Sequence, residues 1–444
     1  MSASPSLPAS GPFTLRARLL TPLGAGGHRW EPDAAVEVDA DGRIRGVRAW
    51  DGSAPGAVDV RPWVLLPGMV DLHAHLPQIP NVGRGAGLDL LTWLDRYIFP
   101  LERTFDRSAA ERLAPAAFRA FAAAGTTTVM LYGAVFEPSL DAAFEAAEAH
   151  GIRAVIGKVM MDRLRYDASL DDREVLTTSL QQSADLIARW DGRDAGRLRY
   201  AVTPRFAVSC SAAMLSESAA LAASTGTFWQ THLAEDRGEV EEVRRLFPDA
   251  ADYTDVYVRA GGLGPRSVFA HAVHLTAPEL ARLVESGSHV AHCPASNLFL
   301  ASGAMPLARY LRAGLSVGLG SDVAAGPDLS LFGVMRAGAY TQNGRRAMLA
   351  DPEPPLSPLQ WLTMGSLGGA RVLGLDEVIG SVETGKDADL VCIDPSVTEP
   401  LPGLAPPPAD PHDEASDLAS RLIFRSQRDM VRGAWVRGRL LDRA

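Results

Sequence analysis

Cysteine is scarce. There are three in 444 residues, Cys210, Cys293 and Cys392, odd in number, far apart and never spaced Cys-x-x-Cys. That argues against a disulfide framework and fits a reducing compartment, so a cytoplasmic location is expected. No uncharged apolar run reaches the ~18 residues of a membrane span, so no membrane partner is expected. The first residues, Met1 to Pro12, are rich in Ser, Pro and Ala but lack the apolar centre of a signal peptide. Positive charge is in deficit: 43 Lys plus Arg stand against 53 Asp plus Glu, a formal net charge of −10, and no basic run forms a tail. This argues against a nucleic-acid partner. There is also no internal repeat, and no Gly-x-Gly-x-x-Gly turn follows an early strand. Hydrophobic content is 47% and charged content 22%, both ordinary for a globular enzyme.

The length exceeds what one small core can organise, and a large barrel with a smaller domain is the natural division. Residues 1–66 read as short strands. Alternating segments at 13–20, 35–39 and 43–47 flank an Asp41-Gly42 turn, a hairpin signal. From 67 to 375 Ala-rich helices alternate with short apolar strands. A helix at 109–124 ends at Gly125 before a strand at 126–131, and one at 139–150 stops at Gly151 before a strand at 152–157. Further strands fall at 198–203, 227–231, 267–270, 289–291 and 315–319. Such alternation implies a parallel sheet, and about eight strands over roughly 300 residues suggest a closed (β/α)₈ TIM-like barrel, an α/β fold. Residues 376–444 return to strands at 380–383, 388–394 and 430–438, interrupted by a Pro-rich segment at 395–411. Both chain ends are expected to form one small β-sandwich domain beside the barrel.

The apolar run Trp63-Val64-Leu65-Leu66 leads into Pro67-Gly68-Met69-Val70-Asp71-Leu72-His73-Ala74-His75. Alternation on a strand points His73 and His75 the same way, half of a metal site. Barrel sites lie at the carboxyl ends of strands. His232 and His271 end the strands at 227–231 and 267–270, and Asp322 follows the strand at 315–319. Each alone has a plainer explanation, such as a satisfied strand-end histidine or a helix-capping Asp. Together, His73, His75, His232 and Asp322 make a three-imidazole, one-carboxylate set that suits zinc, or iron, better than magnesium or calcium. Such a metal supplies hydroxide near neutral pH. Asp322 can also take the proton of that water, and His271 either polarises the water or leaving group or is a further ligand. Glu235 lies three residues after His232, where a carboxylic acid can shuttle protons. The alternative is an exposed Glu at a helix start, because Asp236 and Glu239 are acidic too.

These residues resemble the amidohydrolase superfamily, and within it the guanine deaminase family. The resemblance spans nearly the whole chain. It is carried by His73-Ala74-His75-Leu76-Pro77-Gln78, by the stretch from Trp93-Leu94 to Phe99-Pro100-Leu101-Glu102, and by Thr203-Pro204-Arg205-Phe206. Gln230-Thr231-His232-Leu233-Ala234-Glu235-Asp236 and His292-Cys293-Pro294-Ala295-Ser296-Asn297-Leu298 complete it. It implies a barrel with one catalytic zinc per subunit, a homodimer, and a small-molecule purine substrate. By position, His73, His75, His232 and Asp322 match the zinc site, with Glu235 and His271 beside it. Gln78, Arg205 and Phe206 match purine-contacting positions, and Trp93 begins a segment expected to cover the site. The implied reaction is hydrolytic deamination of guanine to xanthine and ammonia, with metal-activated hydroxide attacking the amino-bearing ring carbon. A related ring (8-oxoguanine, a pterin, an aminotriazine), another amide or C–Cl hydrolysis, or a non-enzymatic scaffold are the alternatives. The Pro-Cys-x-x-Cys signature of a different zinc deaminase design is absent. Three residues depart from the family pattern, Ala325 and Ala272 where Gly is usual and His274 where Tyr is frequent.

Overall fold

Two sheets organise the computed structural model, which describes residues 5–164, 171–349, 353–401, 404, 410 and 413–444. The N-terminal segment supplies β1 (Phe13–Pro22), β2 (His28–Val38), β3 (Ile44–Ala49) and β4 (Val58–Pro67). Then come β5 (Met69–His75), β6 (Thr126–Tyr132), β7 (Arg153–Gly157), β8 (Val159–Met160) and β9 (Leu198–Pro204). They are followed by β10 (Phe228–Leu233), β11 (Ser267–His271), β12 (His289–His292) and β13 (Ser316–Leu319). The C-terminal part adds β14 (Leu390–Ile393), β15 (Val431–Val436) and β16 (Arg439–Leu440). No helix among the described residues is long and apolar enough to cross a membrane.

Strands β5, β6, β7, β9, β10, β11, β12 and β13 pair in that order, each parallel to the next, and β8 pairs with β9. This is the expected barrel. Its first two long helices stop at the expected glycines and start two residues earlier than expected. The Asp106 carboxylate accepts the Ala109 N–H at the start of the Arg107–Ala123 helix, and Gly151, at φ 93°, ends the Glu137–His150 helix. Val70, Leu72, Met130, Val155, Ala201, Phe228, Val268 and Ala291 pack inside the barrel, so its lower half is a core and not a pore. The seam between the first and last strands closes at the carboxyl end. Asp322 N–H donates to His73 O at 2.7 Å and His75 N–H to Val323 O at 2.9 Å. Asp71 Oδ1 accepts the Ser321 N–H at 2.9 Å. That closure brings the His73–His75 pair beside Asp322.

The small domain holds one sheet of order β16-β15-β14-β4-β1-β2-β3, built from both chain ends. Strand β14 pairs antiparallel with β4, and β4 parallel with β1, over an apolar cluster that includes Leu15, Val36, Leu65, Leu390 and Trp435. A buried ion cluster ties it to the barrel: Arg153 on β7 meets Asp387 at 3.0 Å and Asp389 at 3.1 Å. The hairpin turn requires its glycine, since Gly42 sits at φ 77° and a Cβ there would lie 1.8 Å from the Arg437 carbonyl oxygen. The strand expected at 380–383 does not form. Gly380 has φ 89°, and the Val382 N–H donates to Thr21 Oγ1 at 2.8 Å instead of to a ladder. In the Pro-rich segment Pro395–Thr398 forms a 3₁₀ turn, and most of the rest lies outside the described residues.

Candidate active site

The carboxyl ends of β5, β10, β11 and β13 converge. Pairing between β5 and β6 slips between Asp71 and Ala74, an irregularity of the kind that re-aims side chains. Above it the rings of His73 and His75 lie 4.9 Å apart, centre to centre, with planes at 88°. His75 Nε2 is 3.2 Å from His232 Nε2, and Asp322 Oδ1 is 3.2 Å from His73 Nε2 and 3.4 Å from His75 Nε2. Donors bound tetrahedrally at ~2.0–2.2 Å stand about 3.3–3.6 Å apart, so these spacings are close to edges of one coordination shell. His232 Nδ1 donates to the Arg205 carbonyl at 2.7 Å, which leaves Nε2 with its lone pair inward. His73 Nε2 is buried and has no hydrogen-bond partner among the described residues, because it meets Asp322 without a hydrogen bond's angle. Leaving such an atom unmet costs about 1–3 kcal/mol. A metal ion removes that cost, so the residues present fit one. Burial, then the neighbouring His73, pushes His75 and His232 well below their usual range. Burial also lowers His73, against the pull of Asp322. All three imidazoles are therefore neutral lone-pair donors, the form a metal binds. His271 also comes within 4.8 Å of His73 and His232, so its alternative as a further ligand stays geometrically open.

His271 and Glu235 stand beside the cluster. Asn297 Oδ1 accepts from His271 Nδ1 at 2.8 Å. This turns His271 Nε2 toward Glu235 Oε2 at 3.2 Å and Asp322 Oδ2 at 3.9 Å. Glu235 is not the exposed helix-start residue of the alternative reading. Asp236 caps the Arg237–Leu246 helix, while Glu235 is only 2% exposed and accepts from Ser302 Oγ at 3.2 Å. Burial, with Asp322 and Glu239 nearby, raises the Glu235 acid well above the usual carboxyl range. Burial would raise Asp322 as well, but the adjacent His73 imidazole, 3.2 Å away, and then His271 outweigh it and hold Asp322 at about 2. Two carboxyls pushed in opposite directions make one a base and the other an acid near neutrality. Ala234 (φ 47°), His271 (φ 72°), Ala272 (φ 51°) and Asp322 (φ 49°) all adopt the left-handed region, so backbone strain of about 1–3 kcal/mol per residue is concentrated around the cluster.

A cavity opens onto these groups. His75, His232, Glu235 and Asp322 line it together with Gln78, Arg205, Phe206 and Trp93. Phe206 presents its ring 6.2 Å from that of His232. Trp93 is anchored by Nε1–H donating to Arg84 O at 2.9 Å. The Arg205 guanidinium lies 5.1 Å from the centre of the Phe99 ring and is paired with Glu102. Glu102 Oε1 accepts from Gln78 Nε2 at 2.7 Å.

Eight of the residues singled out from the sequence line this cavity, and the other two, His73 and His271, stand behind it against Asp322 and Glu235. Four that matter to the geometry were not singled out: Asp71, Glu102, Asn297 and Ser302. The signals for three were present. Asp71 shares its strand with His73, Glu102 is the lone acid after the apolar Phe99-Pro100-Leu101, and Asn297 stands in the His292–Leu298 stretch. Ser302 carried none. The family departures also have places. Ala272 holds a φ that favours glycine, Ala325 lines the cavity, and His274 Nε2 lies 2.7 Å from Ser302 O.

Residues 64–441 match the model of the amidohydrolase family. A "Probable guanine deaminase" of Deinococcus radiodurans is 40% identical over 385 residues, 86% of this chain and 84% of that protein. The Escherichia coli guanine deaminase structure superposes with a TM-score of 0.87 at 31% identity, covering 97% of this chain and 99% of the other. A C. acetobutylicum guanine deaminase structure with guanine bound in its active site gives 0.86 at 27% identity, over 97% and 99% of the two chains. With the barrel, the converging donors and these matches in hand, the chain belongs to the amidohydrolase family, among its guanine deaminases.

Proposed function

We propose that the enzyme hydrolyses guanine to xanthine and ammonia, using one zinc ion held by His73, His75, His232 and Asp322. Zinc bound there would bring the pKa of a water molecule to near 7. The purine lies against Phe206 with Gln78 and Arg205 on its edge and its amino-bearing carbon toward the donor cluster. Asp322, ionised, accepts the proton of the attacking water. Glu235, protonated, gives its proton to the ring nitrogen beside that carbon; it then takes the proton of the hydroxyl added there and passes it to the departing amine, and the proton held by Asp322 restores Glu235. His271, whose Nδ1–H goes to Asn297, accepts through its Nε2 lone pair from the hydroxyl added to the ring. Trp93 and its neighbours Leu90 and Leu94 keep bulk water out.

One observation carries this reading. A single cavity joins a nitrogen-rich donor cluster, an acid and a base of opposed pKa shifts, and a donor–acceptor pair suited to a purine edge. The test is ammonia release from guanine, 8-oxoguanine, isoxanthopterin, ammeline, adenine and cytosine, with zinc and iron measured on the same sample. Rapid turnover of guanine by zinc-loaded protein supports the proposal; zinc retained with guanine untouched defeats the substrate assignment. A cytoplasmic homodimer completes the proposal, and light scattering of the purified protein checks its oligomeric state.

A further inference from the structure

We propose that Glu102 is a positioning residue that makes the cavity selective for a ring lactam, an N–H beside a C=O, over an amino-substituted ring. The inference rests on the reading that the cavity takes a purine, and it names the edge by which the purine is chosen. Glu102 is fully buried, and its two carboxylate oxygens are committed to two different residues. One pairs with Arg205, and the other accepts from Gln78 Nε2 at 2.7 Å. A carboxylate only accepts. Gln78 must therefore turn its NH₂ to Glu102, which leaves its carbonyl as the group it can offer to the cavity it lines. Rotating the amide the other way would set that carbonyl, an acceptor, against a buried carboxylate with no hydrogen between them. Arg205 is donor-only, and the Phe99 ring 5.1 Å away supports its guanidinium.

The wall thus presents an acceptor from Gln78 beside donors from Arg205. A lactam offers the complement, its N–H to the acceptor and its C=O to the donors. An adenine-type edge offers a bare ring nitrogen beside an NH₂, the reverse at both places. Sites that hydrogen-bond a substrate group in this way reject the mismatched analogue strongly, because their own buried groups are left unpaired.

Isothermal titration of zinc-loaded protein with hypoxanthine (lactam) and adenine (amino) reads this without turnover. Wild type should prefer hypoxanthine by about 100-fold or more. In Glu102→Gln the new amide can donate to the Gln78 carbonyl and free the Gln78 NH₂ to face the cavity. The preference should then fall to about fivefold or less, with zinc content retained. Glu102→Asp keeps an acceptor-only group and should keep the direction of preference. Gln78→Met leaves the Glu102–Arg205 pair in place and should cost at least about tenfold in the ratio, so the inference stays testable if Glu102→Gln does not fold. An unchanged ratio in Gln78→Met or in folded Glu102→Gln overturns it, as does a wild type without the preference. Guanine turnover by wild type is read separately. A Glu102-dependent preference without guanine turnover would sink the reaction assignment and leave this inference standing. Guanine turnover without that preference would sink this inference alone.

Discussion

Glu235→Gln isolates proton carriage from everything else Glu235 does. The side chain is 2% exposed, with Oε1 3.2 Å from Ser302 Oγ and Oε2 3.2 Å from His271 Nε2. An amide of the same shape accepts from Ser302 through its oxygen and donates to His271 through its NH₂, so both contacts survive. Burial and the Asp322 charge already favour the uncharged acid, so a neutral group replaces a neutral group. The melting temperature should move by no more than about 2 °C. What disappears is a proton within reach of the ring. One placed acid or base is worth ~10²–10⁴ in rate, about 3–5 kcal/mol. In the proposed mechanism Glu235 carries two protons in succession, so kcat should fall by about 10³–10⁴, the upper part of that range, with KM within about threefold. Zinc should stay, because Glu235 is not among the four proposed donors. Initial rates of ammonia release from saturating guanine, with zinc measured on the same protein, decide the matter. A kcat within tenfold of wild type at full zinc refutes the proton-carrier role. Loss of zinc refutes the assignment of the ligands.

Three further outcomes follow from the same geometry. Arg205→Lys keeps the charge but loses the planar fork, so KM for guanine should rise at least about tenfold. Zinc should be unaffected, because His232 is held by the Arg205 backbone carbonyl and not its side chain. Asp71 Oδ1 accepts the N–H groups of Ser321 and His73, so Asp71→Ala strands two buried donors. At about 1–3 kcal/mol each the loss should be about 2–6 kcal/mol, read by urea unfolding, and Asp71→Asn, which keeps an oxygen there, should cost less. Acid should destabilise the metal-free protein. His292 is buried with neither ring nitrogen bonded among the described residues, and burial, then His271, pushes it to about 3. Its folded value lies below its unfolded one near 6.5, so its contribution is intact above that pH and is lost as the pH falls toward 3, at about 1 kcal/mol per unit. His75 and His232 shift in the same direction. A melting temperature flat between pH 6.5 and about 4 would show that these rings are not held neutral.

The barrel is legible in the sequence because its strands and helices carry their own punctuation. Gly125 and Gly151 follow helices at φ 88° and 93°, conformations glycine adopts without strain, and strands β6 and β7 begin within two residues of each. The metal-type donors are legible for a related reason. They sit at strand ends, and in a barrel strand ends share one mouth. His73, His75, His232 and Asp322 can thus be grouped without knowing a single contact. The absent strand at 380–383 marks the limit of that reasoning. Alternation in Ser381-Val382-Glu383 is visible, but the Thr21 hydroxyl that takes the Val382 N–H is 361 residues away in the chain.

The same limit separates the chemistry of this site from its selectivity. Gln78, Glu102 and Arg205 lie in a turn after β5, a short helix and the end of β9. Their contacts span 24 and 103 residues, and no periodicity links them. Residue types alone therefore give Gln78 both a donor and an acceptor and leave its orientation open. The orientation is fixed by Glu102, through the protein interior. Arg205 then joins the two halves of the site. Its side chain lines the cavity and carries the proposed purine contact, while its carbonyl fixes the His232 tautomer at 2.7 Å. Substitutions of that side chain should change which ring is bound and spare the metal. A backbone shift at 205 should disturb both at once, because the lone pair His232 offers depends on where that carbonyl stands.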